Sequence, residues 1–180
     1  MKKHFLFLGL LVALPASAEG VYVFGDAGQR TSSIDLLGGI YSRTETSYSV
    51  GLGYEATQTF SFEVAYRDLG EDTFSDEYEK SVSEGSAVQV SVVAKYPISP
   101  IVNVFGRLGV ADLSDKTTYQ YYDYPEYDES DSSSKTKAYY GVGASYAVDE
   151  KLSFRGEYSR YAEWEDVTTS ALTIGAVYKF

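Results

Sequence analysis

The side chains of this sequence that could carry out chemistry are acids, bases and tyrosines. The chain contains no cysteine, and its only histidine is His4, within an N-terminal segment that we expect to be removed. Because thiolates and histidines supply many protein nucleophiles and general bases, the mature chain is expected to lack such sites. Carboxylate pairs remain open as acid–base candidates. We nevertheless predict that the protein is not an enzyme and uses no cofactor and no metal.

Charged residues recur on one face of the predicted strands. Alternate residues of a β-strand point to opposite faces, so in FSFEVAYR, residues 60–67, the aromatic side chains share one face and the charged ones the other. The same separation in other runs gives one charged set, which comprises Asp26, Arg30, Glu55, Glu63, Arg67, Lys95, Arg107, Lys137, Arg155, Glu157 and Lys179. In a narrow, low-dielectric space these opposite charges are best satisfied by pairing.

Eight runs of eight to twelve residues show this alternation and must position the charged set. They are residues 21–30, 47–56, 60–67, 87–96, 102–111, 137–148, 152–161 and 171–180. Short links, residues 56–59, 97–101 and 148–151, alternate with longer polar ones, residues 31–46, 68–85, 112–135 and 162–169. This regular alternation of short and long connections is typical of an up-and-down barrel.

The two faces indicate which side meets lipid. The charged rows are rich in glycine, serine and alanine, as expected of a crowded interior, whereas the other rows are apolar. Aromatic residues lie near strand ends on the apolar face: Tyr48, Tyr54, Phe60, Tyr66, Tyr96, Tyr146, Tyr158, Tyr178 and Phe180. Ten tilted residues rise about 25 Å, the height of an outer-membrane apolar band. We therefore predict an all-β fold, an eight-stranded antiparallel up-and-down transmembrane β-barrel.

The N-terminus predicts export. Lys2 and Lys3 precede an apolar run that ends at a small-x-small site, Ala16 to Ala18. We expect residues 1–18 to be a cleaved secretory signal peptide and residues 19–180 to form one outer-membrane barrel domain. Removal of the two lysines leaves 13 basic against 26 acidic residues, a net charge of −13. Such acidity argues against a nucleic acid partner.

Several motifs in their order and spacing resemble the eight-stranded barrel of the OmpA family and its short relatives such as OmpX. They are GYEATQTFSFEVAYRDLG, AKYPISP, FGRLG, YGVGASYAV, FRGEYSRY and the closing IGAVYKF. The resemblance implies a Gram-negative outer membrane with its lipid and lipopolysaccharide as surroundings. It implies that Tyr178 and Phe180 form the signal read by the barrel assembly machinery. It also implies a salt bridge between Glu63 and Arg155, with Arg107 near a further basic position.

The same resemblance leaves two interpretations of the interior. The first is a packed ionic plug, which leaves the barrel a structural protein that supports envelope integrity; the second is a narrow, regulated pore for ions or small solutes. Because the chain stops at Phe180 with no downstream peptidoglycan-binding domain, cell-wall anchoring is not expected.

The third long connection is the remaining candidate for function. It holds a cluster of tyrosines among acidic residues, Tyr119, Tyr121, Tyr122, Tyr124 and Tyr127. Tyrosine offers a large amphipathic contact area at a small entropic cost, which suits a binding surface. Clustered acids with serines are equally typical of a solvated, mobile loop. Interaction or adhesion with a host or other cell surface is therefore a hypothesis at this stage.

Overall fold

The computed structural model describes residues 20–36, 39–75, 79–121, 129–164 and 167–180, and it confirms the predicted fold. Each strand pairs antiparallel with the next, and the last pairs with the first to close the barrel. The strands are β1 (Val21–Leu36), β2 (Gly39–Glu55), β3 (Phe60–Ser75), β4 (Glu79–Pro97), β5 (Val102–Tyr121), β6 (Glu129–Ala147), β7 (Leu152–Trp164) and β8 (Val167–Lys179). No helix among the described residues is long and apolar enough to cross a membrane. The predicted signal peptide lies outside the described residues.

The strands are longer than predicted, and most of each predicted long connection is strand. Strands β1 and β2, for example, stay paired up to Leu36 and Gly39, well inside the connection predicted for residues 31–46. There the apolar alternation gives way to serine and threonine, which pair across the strands: the hydroxyls of Thr31 and Thr44 lie 3.0 Å apart. Threonine favours strands without being apolar, so the end of the apolar pattern marks the membrane boundary rather than the strand end.

Three short turns lie where they were predicted, and all three contain the same kind of side-chain-to-backbone hydrogen bond. In the turns at residues 56–59, 98–101 and 148–151, a side-chain oxygen accepts from backbone N–H groups two and three residues ahead. Thr57 accepts from Thr59 and Phe60 at 3.2 and 2.9 Å. Asp149 accepts from Lys151 and Leu152, both at 2.8 Å. In the turn at residues 98–101, Ser99 accepts from the backbone N–H groups of Ile101 and Val102. Short polar side chains that bond the backbone ahead favour such turns.

The Asp149 turn gives a prediction for acid stability. The two backbone hydrogen bonds from Leu152 and Lys151 lower the pKa of the Asp149 carboxyl below its ordinary value. A lowered pKa in the folded state contributes stability above the unfolded pKa of about 3.9, and this stability is lost as the pH falls through the folded pKa. Between pH 5 and pH 2, we expect the free energy of unfolding of the wild type to fall more steeply than that of Asp149→Asn.

The measurement is denaturant unfolding of the refolded protein at a series of pH values. Glu150→Gln, in the same turn, is the matched control and should keep the wild-type slope. Identical slopes for the wild type and Asp149→Asn would show that ionisation of Asp149 is not linked to folding.

The two faces of the wall divide as predicted. All nine aromatic side chains assigned to the apolar face point outward, with exposed fractions between 42% and 71%. The charged face lines the interior, where Glu63 is 2% and Arg107 8% exposed. Rings of this kind facing outward in a closed barrel are typical of a wall that contacts lipid.

Inward glycines make room for inward rings. Tyr22 lies directly opposite Gly53, and Phe24 directly opposite Gly51, in the β1–β2 register. A Cβ atom added to either glycine would overlap the facing ring. An eight-stranded barrel is only just wide enough for its side chains. Large inward rings are therefore accommodated where the facing residue on the neighbouring strand is a glycine, which has no side chain.

The outer half of the barrel divides into two sheets. In the described part of the chain, β2 pairs with β3 only over Tyr48–Glu55 and Ser61–Asp68, and β6 with β7 only from Tyr139 and Tyr161 toward the short turn. Strands β3 to β6 continue together beyond these points, as do β7, β8, β1 and β2. Two strand edges on each side of the barrel therefore lack a facing partner.

Candidate functional site

Six buried charges cross the middle of the lumen. Three are acidic and three are arginines: Asp26, Glu63, Glu157, Arg67, Arg107 and Arg155. All six come from the odd-numbered strands β1, β3, β5 and β7. The even-numbered strands contribute smaller or neutral side chains at the same level, among them Ser49, Gln89, Ser91 and Thr173. Formal charge within this central network is balanced.

Glu63 is the hub of the central network. Its Oε2 accepts from Arg107 Nη1 at 2.6 Å, and its Oε1 accepts from Arg155 Nη1 at 2.9 Å. The Tyr22 hydroxyl donates a third hydrogen bond to Oε1, at 2.7 Å. A buried carboxylate is tolerated only when charged and polar donors surround it in this way.

The remaining contacts join this hub to both sides of the barrel. Arg107 Nε donates to Glu157 Oε1 at 2.9 Å, and its Nη1 also donates to Ser91. Asp26 accepts from Arg67 Nη2 at 3.0 Å. Arg155 Nη2 lies 3.4 Å from Asp26 Oδ2, which closes the network. Every charge in it has at least one opposite charge within hydrogen-bonding distance.

A second charged group lies toward the short turns. Lys95 Nζ is 2.6 Å, and Lys179 Nζ 2.9 Å, from carboxylate oxygens of Glu55. Lys95 also lies 5.1 Å from the centre of the Tyr22 ring, and the Arg155 guanidinium lies 4.1 Å from that of Phe24. These cation–π contacts connect the two charged groups through the rings between them.

An aromatic layer covers the central network on its outer side. The rings of Tyr139 and Tyr161 stack with centroids 5.5 Å apart, packed with Ala111 and Leu113. Gln89 Nε2 donates to the Tyr161 hydroxyl at 2.6 Å. This layer was not predicted from the sequence, because the predicted lumen residues were charged ones only. Both tyrosines are buried on the inward face of their strands, and alternation along β6 and β7 could have identified them.

The structure places the other predicted residues as follows. Nine of the eleven residues in the predicted charged set lie in the two groups above. One of the other two is Lys137, half-buried on β6 opposite Ala111, which makes no ion pair with any described residue. Arg30 pairs instead with Glu45 at the outer mouth, at 2.6 Å.

The predicted tyrosine cluster and assembly signal fall in different regions. Tyr119 and Tyr121 belong to the outer end of β5, whereas Tyr122, Tyr124 and Tyr127 lie outside the described residues. Tyr178 faces outward, and its ring meets that of Phe180 edge to face at 5.6 Å. Among the described residues, no group of three or more acidic, histidine or cysteine side chains is arranged to hold a metal ion.

Comparisons with known proteins agree with this geometry. The chain's fold is similar to that of Ail, the attachment invasion locus protein of Yersinia pestis, with 18% identity and a TM-score of 0.59 over 88% of this chain and 98% of that one. Neisserial surface protein A gives 18% identity and a TM-score of 0.62 over 89% and 97%. The N-terminal β-barrel domain of Pseudomonas aeruginosa OprF gives 14% and 0.57 over 89% and 98%. At these identities the likeness concerns the fold.

Sequence comparison supplies the family. A search of curated protein sequences found no match. The family model described as "Outer membrane protein beta-barrel domain" matches residues 5–180, nearly the whole chain. With a closed eight-stranded barrel and an outward apolar face, this chain belongs to the outer membrane protein beta-barrel domain family.

Proposed function

We propose that this outer-membrane barrel is sealed by its central network, supports envelope integrity, and displays its outer hairpins for interaction. The observation that carries the proposal is the balanced network of three acids and three arginines around Glu63. A permeating ion would have to separate these pairs, and a buried charge without its partner is strongly unfavourable. The stacked Tyr139 and Tyr161 add an aromatic layer to the same barrier.

Catalysis is not part of this proposal. The lumen carboxylates accept hydrogen bonds from arginines, lysines and hydroxyls, for example Glu157 from Arg107 and Asp26 from Ser49 at 2.6 Å. A general base must lie within hydrogen-bonding reach of a substrate proton, and these carboxylate oxygens are already occupied by arginine and hydroxyl donors. The signal peptide and passage to the barrel assembly machinery through Tyr178 and Phe180 remain part of the proposed biogenesis.

Single-channel recording tests the seal. We expect no discrete current steps from the refolded wild type in planar bilayers. Glu63→Gln and Arg155→Gln each remove a charge that pairs with two opposite charges, which unbalances the central network, so we expect them to give steps or unstable baselines. Lys137→Ala, which removes an inward charge outside the ion pairs, is the matched control and should stay silent. Reproducible small steps from the wild type would overturn the seal and favour the alternative of a narrow, regulated pore.

The display role follows from the outer strands. Strands β4, β5 and β6 run for 19, 20 and 19 residues, well beyond the ten or so that cross a membrane. A structure of Ail contains the heparin analogue sucrose octasulfate, a polyanion. In this chain, residues 68–85 contain seven acids and one lysine. We therefore propose that the outer hairpins interact with a host or other cell surface and favour cationic over anionic groups there. Outer-membrane lipid and lipopolysaccharide surround the barrel itself.

A further inference from the structure

A cavity of about 560 Å³ lies inside the barrel between the central network and the short turns. We call this cavity the vestibule. Glu63 and Arg155 of the central network line its inner end, and the turn at residues 148–151 lines its mouth. At this level each strand is paired with both of its neighbours, so the wall has no opening toward lipid. A small molecule can therefore enter only from the side of the short turns, which faces the periplasm in outer-membrane barrels.

One half of the vestibule wall carries an excess of positive charge. Lys95 Nζ lies 2.6 Å, and Lys179 Nζ 2.9 Å, from oxygens of the same carboxylate, that of Glu55. Each ammonium group has three N–H donors, and together these donors exceed the acceptor positions of one carboxylate. The two lysines therefore have donors to offer to an incoming anion.

The other charges of the vestibule do not cancel this excess. Glu63 and Arg155 pair with each other at 2.9 Å within the central network, which is balanced. The turn at residues 148–151 carries two acids and one lysine at the mouth, all three exposed to water, where salt screens them. The contact between Lys95 and Glu55 lies deeper, with side chains 23% and 24% exposed. The deeper part of the vestibule therefore favours an anion over a cation.

The adjoining wall suits an apolar body. Val93, Phe105 and Val177 line the vestibule and are 3%, 7% and 7% exposed. The Phe105 ring lies over Gly143 on the neighbouring strand, where an added Cβ would overlap it, so its position is well defined. Small-molecule sites are typically cavities of about 300–1,000 Å³ with an apolar lining and a few placed polar groups. The vestibule has both the size and this mixed lining.

We propose that the vestibule binds a small amphipathic anion from the periplasm. Its carboxylate or similar group contacts Lys95 and Lys179, and its ring-sized apolar body packs against Val93, Phe105 and Val177. Lys95 Nζ is already held 5.1 Å from the centre of the Tyr22 ring, so little ordering of that side chain is needed on binding. This inference goes beyond the proposed function and needs neither the sealed lumen nor the display role.

The test compares three probes with the refolded full-length mature protein in nanodiscs of zwitterionic lipid. The first probe is 2-naphthoate, the second is the neutral 2-naphthamide, and the third is acetate, which has the charge but no apolar body. Equilibrium dialysis gives the affinities, and matched empty nanodiscs give the uptake by lipid, which is subtracted. We expect 2-naphthoate to bind at least tenfold more tightly than either of the other probes. Equal affinities for 2-naphthoate and 2-naphthamide would overturn the proposal.

Variants of the protein locate the binding. Lys179→Gln removes one ammonium group while Lys95 still pairs with Glu55, so we expect 2-naphthoate to bind about tenfold more weakly and 2-naphthamide to be unaffected. Lys137→Gln makes the same chemical change on the outer side of the central network and should keep the wild-type affinity. Ser153→Phe places a ring in the vestibule without changing any charge, and it should reduce 2-naphthoate binding more than tenfold.

Methyl NMR of the wild type gives an independent location. We expect 2-naphthoate to shift the methyl signals of Val93 and Val177, and acetate to leave them unchanged. If no probe binds beyond its uptake by empty nanodiscs, or if Lys179→Gln binds 2-naphthoate as the wild type does, the proposal is overturned. Lys179-dependent binding by a protein that also gives current steps would overturn the seal and leave the vestibule site in place.

Discussion

Arg107→Ala is expected to destabilise the barrel by about 3–5 kcal/mol, the cost of breaking a buried charge pair by removing one partner. Arg107 joins Glu63 at 2.6 Å and Glu157 at 2.9 Å, and its side chain is only 6% exposed. Without its guanidinium, two buried carboxylates lose a shared cation. Arg155 still binds Glu63, but Glu157 is left without its arginine. The loss should appear as a lower denaturant midpoint in lipid, followed by the gel shift between folded and heated samples.

Two further variants separate charge from packing. Arg107→Lys keeps one positive charge but loses the planar fork that reaches both carboxylates, so we expect partial recovery. Lys137→Ala removes an inward cation outside the ion pairs and should change the unfolding free energy by less than about 1 kcal/mol. If Arg107→Ala is no less stable than Lys137→Ala, the central network is not a stabilising unit, and the proposed seal loses its basis.

The membrane part of the fold could be predicted from sequence because one physical rule governs it. Lipid outside requires an apolar outward row, and every strand has one, although some inward rows also hold rings such as Tyr22 and Phe24. Turns were predictable for a similar reason, since Thr57, Ser99 and Asp149 are short polar residues between apolar runs. The outer strand extensions were not predictable in this way. There both faces meet water, so alternation disappears although pairing continues, as between Ser33 and Ser42 at 2.9 Å.

The lumen was predictable in part. Alternation identified which charges face inward, but it could not give their partners, because pairing across the lumen depends on the stagger of the strands around the closed barrel. Arg67 thus meets Asp26 rather than a neighbour on its own strand. Lys137 illustrates the limit: its side chain is on the inward row, but it lies near the middle of β6, opposite Ala111 and on the outer side of the aromatic layer that covers the network. The sequence alone does not show how far along the barrel axis an inward side chain lies.

Gly28→Ala is expected to impair closure of the barrel more than any other small substitution of an inward glycine. Gly28 lies opposite Thr173 in the pairing of β1 with β8, the seam that joins the two ends of the chain. An added Cβ would overlap the Leu172 carbonyl oxygen and lie 2.6 Å from the Thr173 Cα. These are backbone atoms, so the clash is relieved only if the strands move apart, which weakens hydrogen bonds at the seam. We expect a loss of about 3 kcal/mol, the upper range for overpacking.

The matched control is Gly106→Ala on β5, where an added Cβ meets nothing within 4 Å. Both variants make the same chemical change in a paired strand, so they share any effect of lower backbone entropy in the unfolded chain. The comparison therefore isolates the contact at the seam. Refolding into lipid should give a reduced yield of the compact, fast-migrating form for Gly28→Ala and a wild-type yield for Gly106→Ala. Equal yields and equal unfolding midpoints would mean that β1 and β8 can move apart at Gly28 without loss of stability. The other strand pairs would then be sufficient to hold the barrel closed.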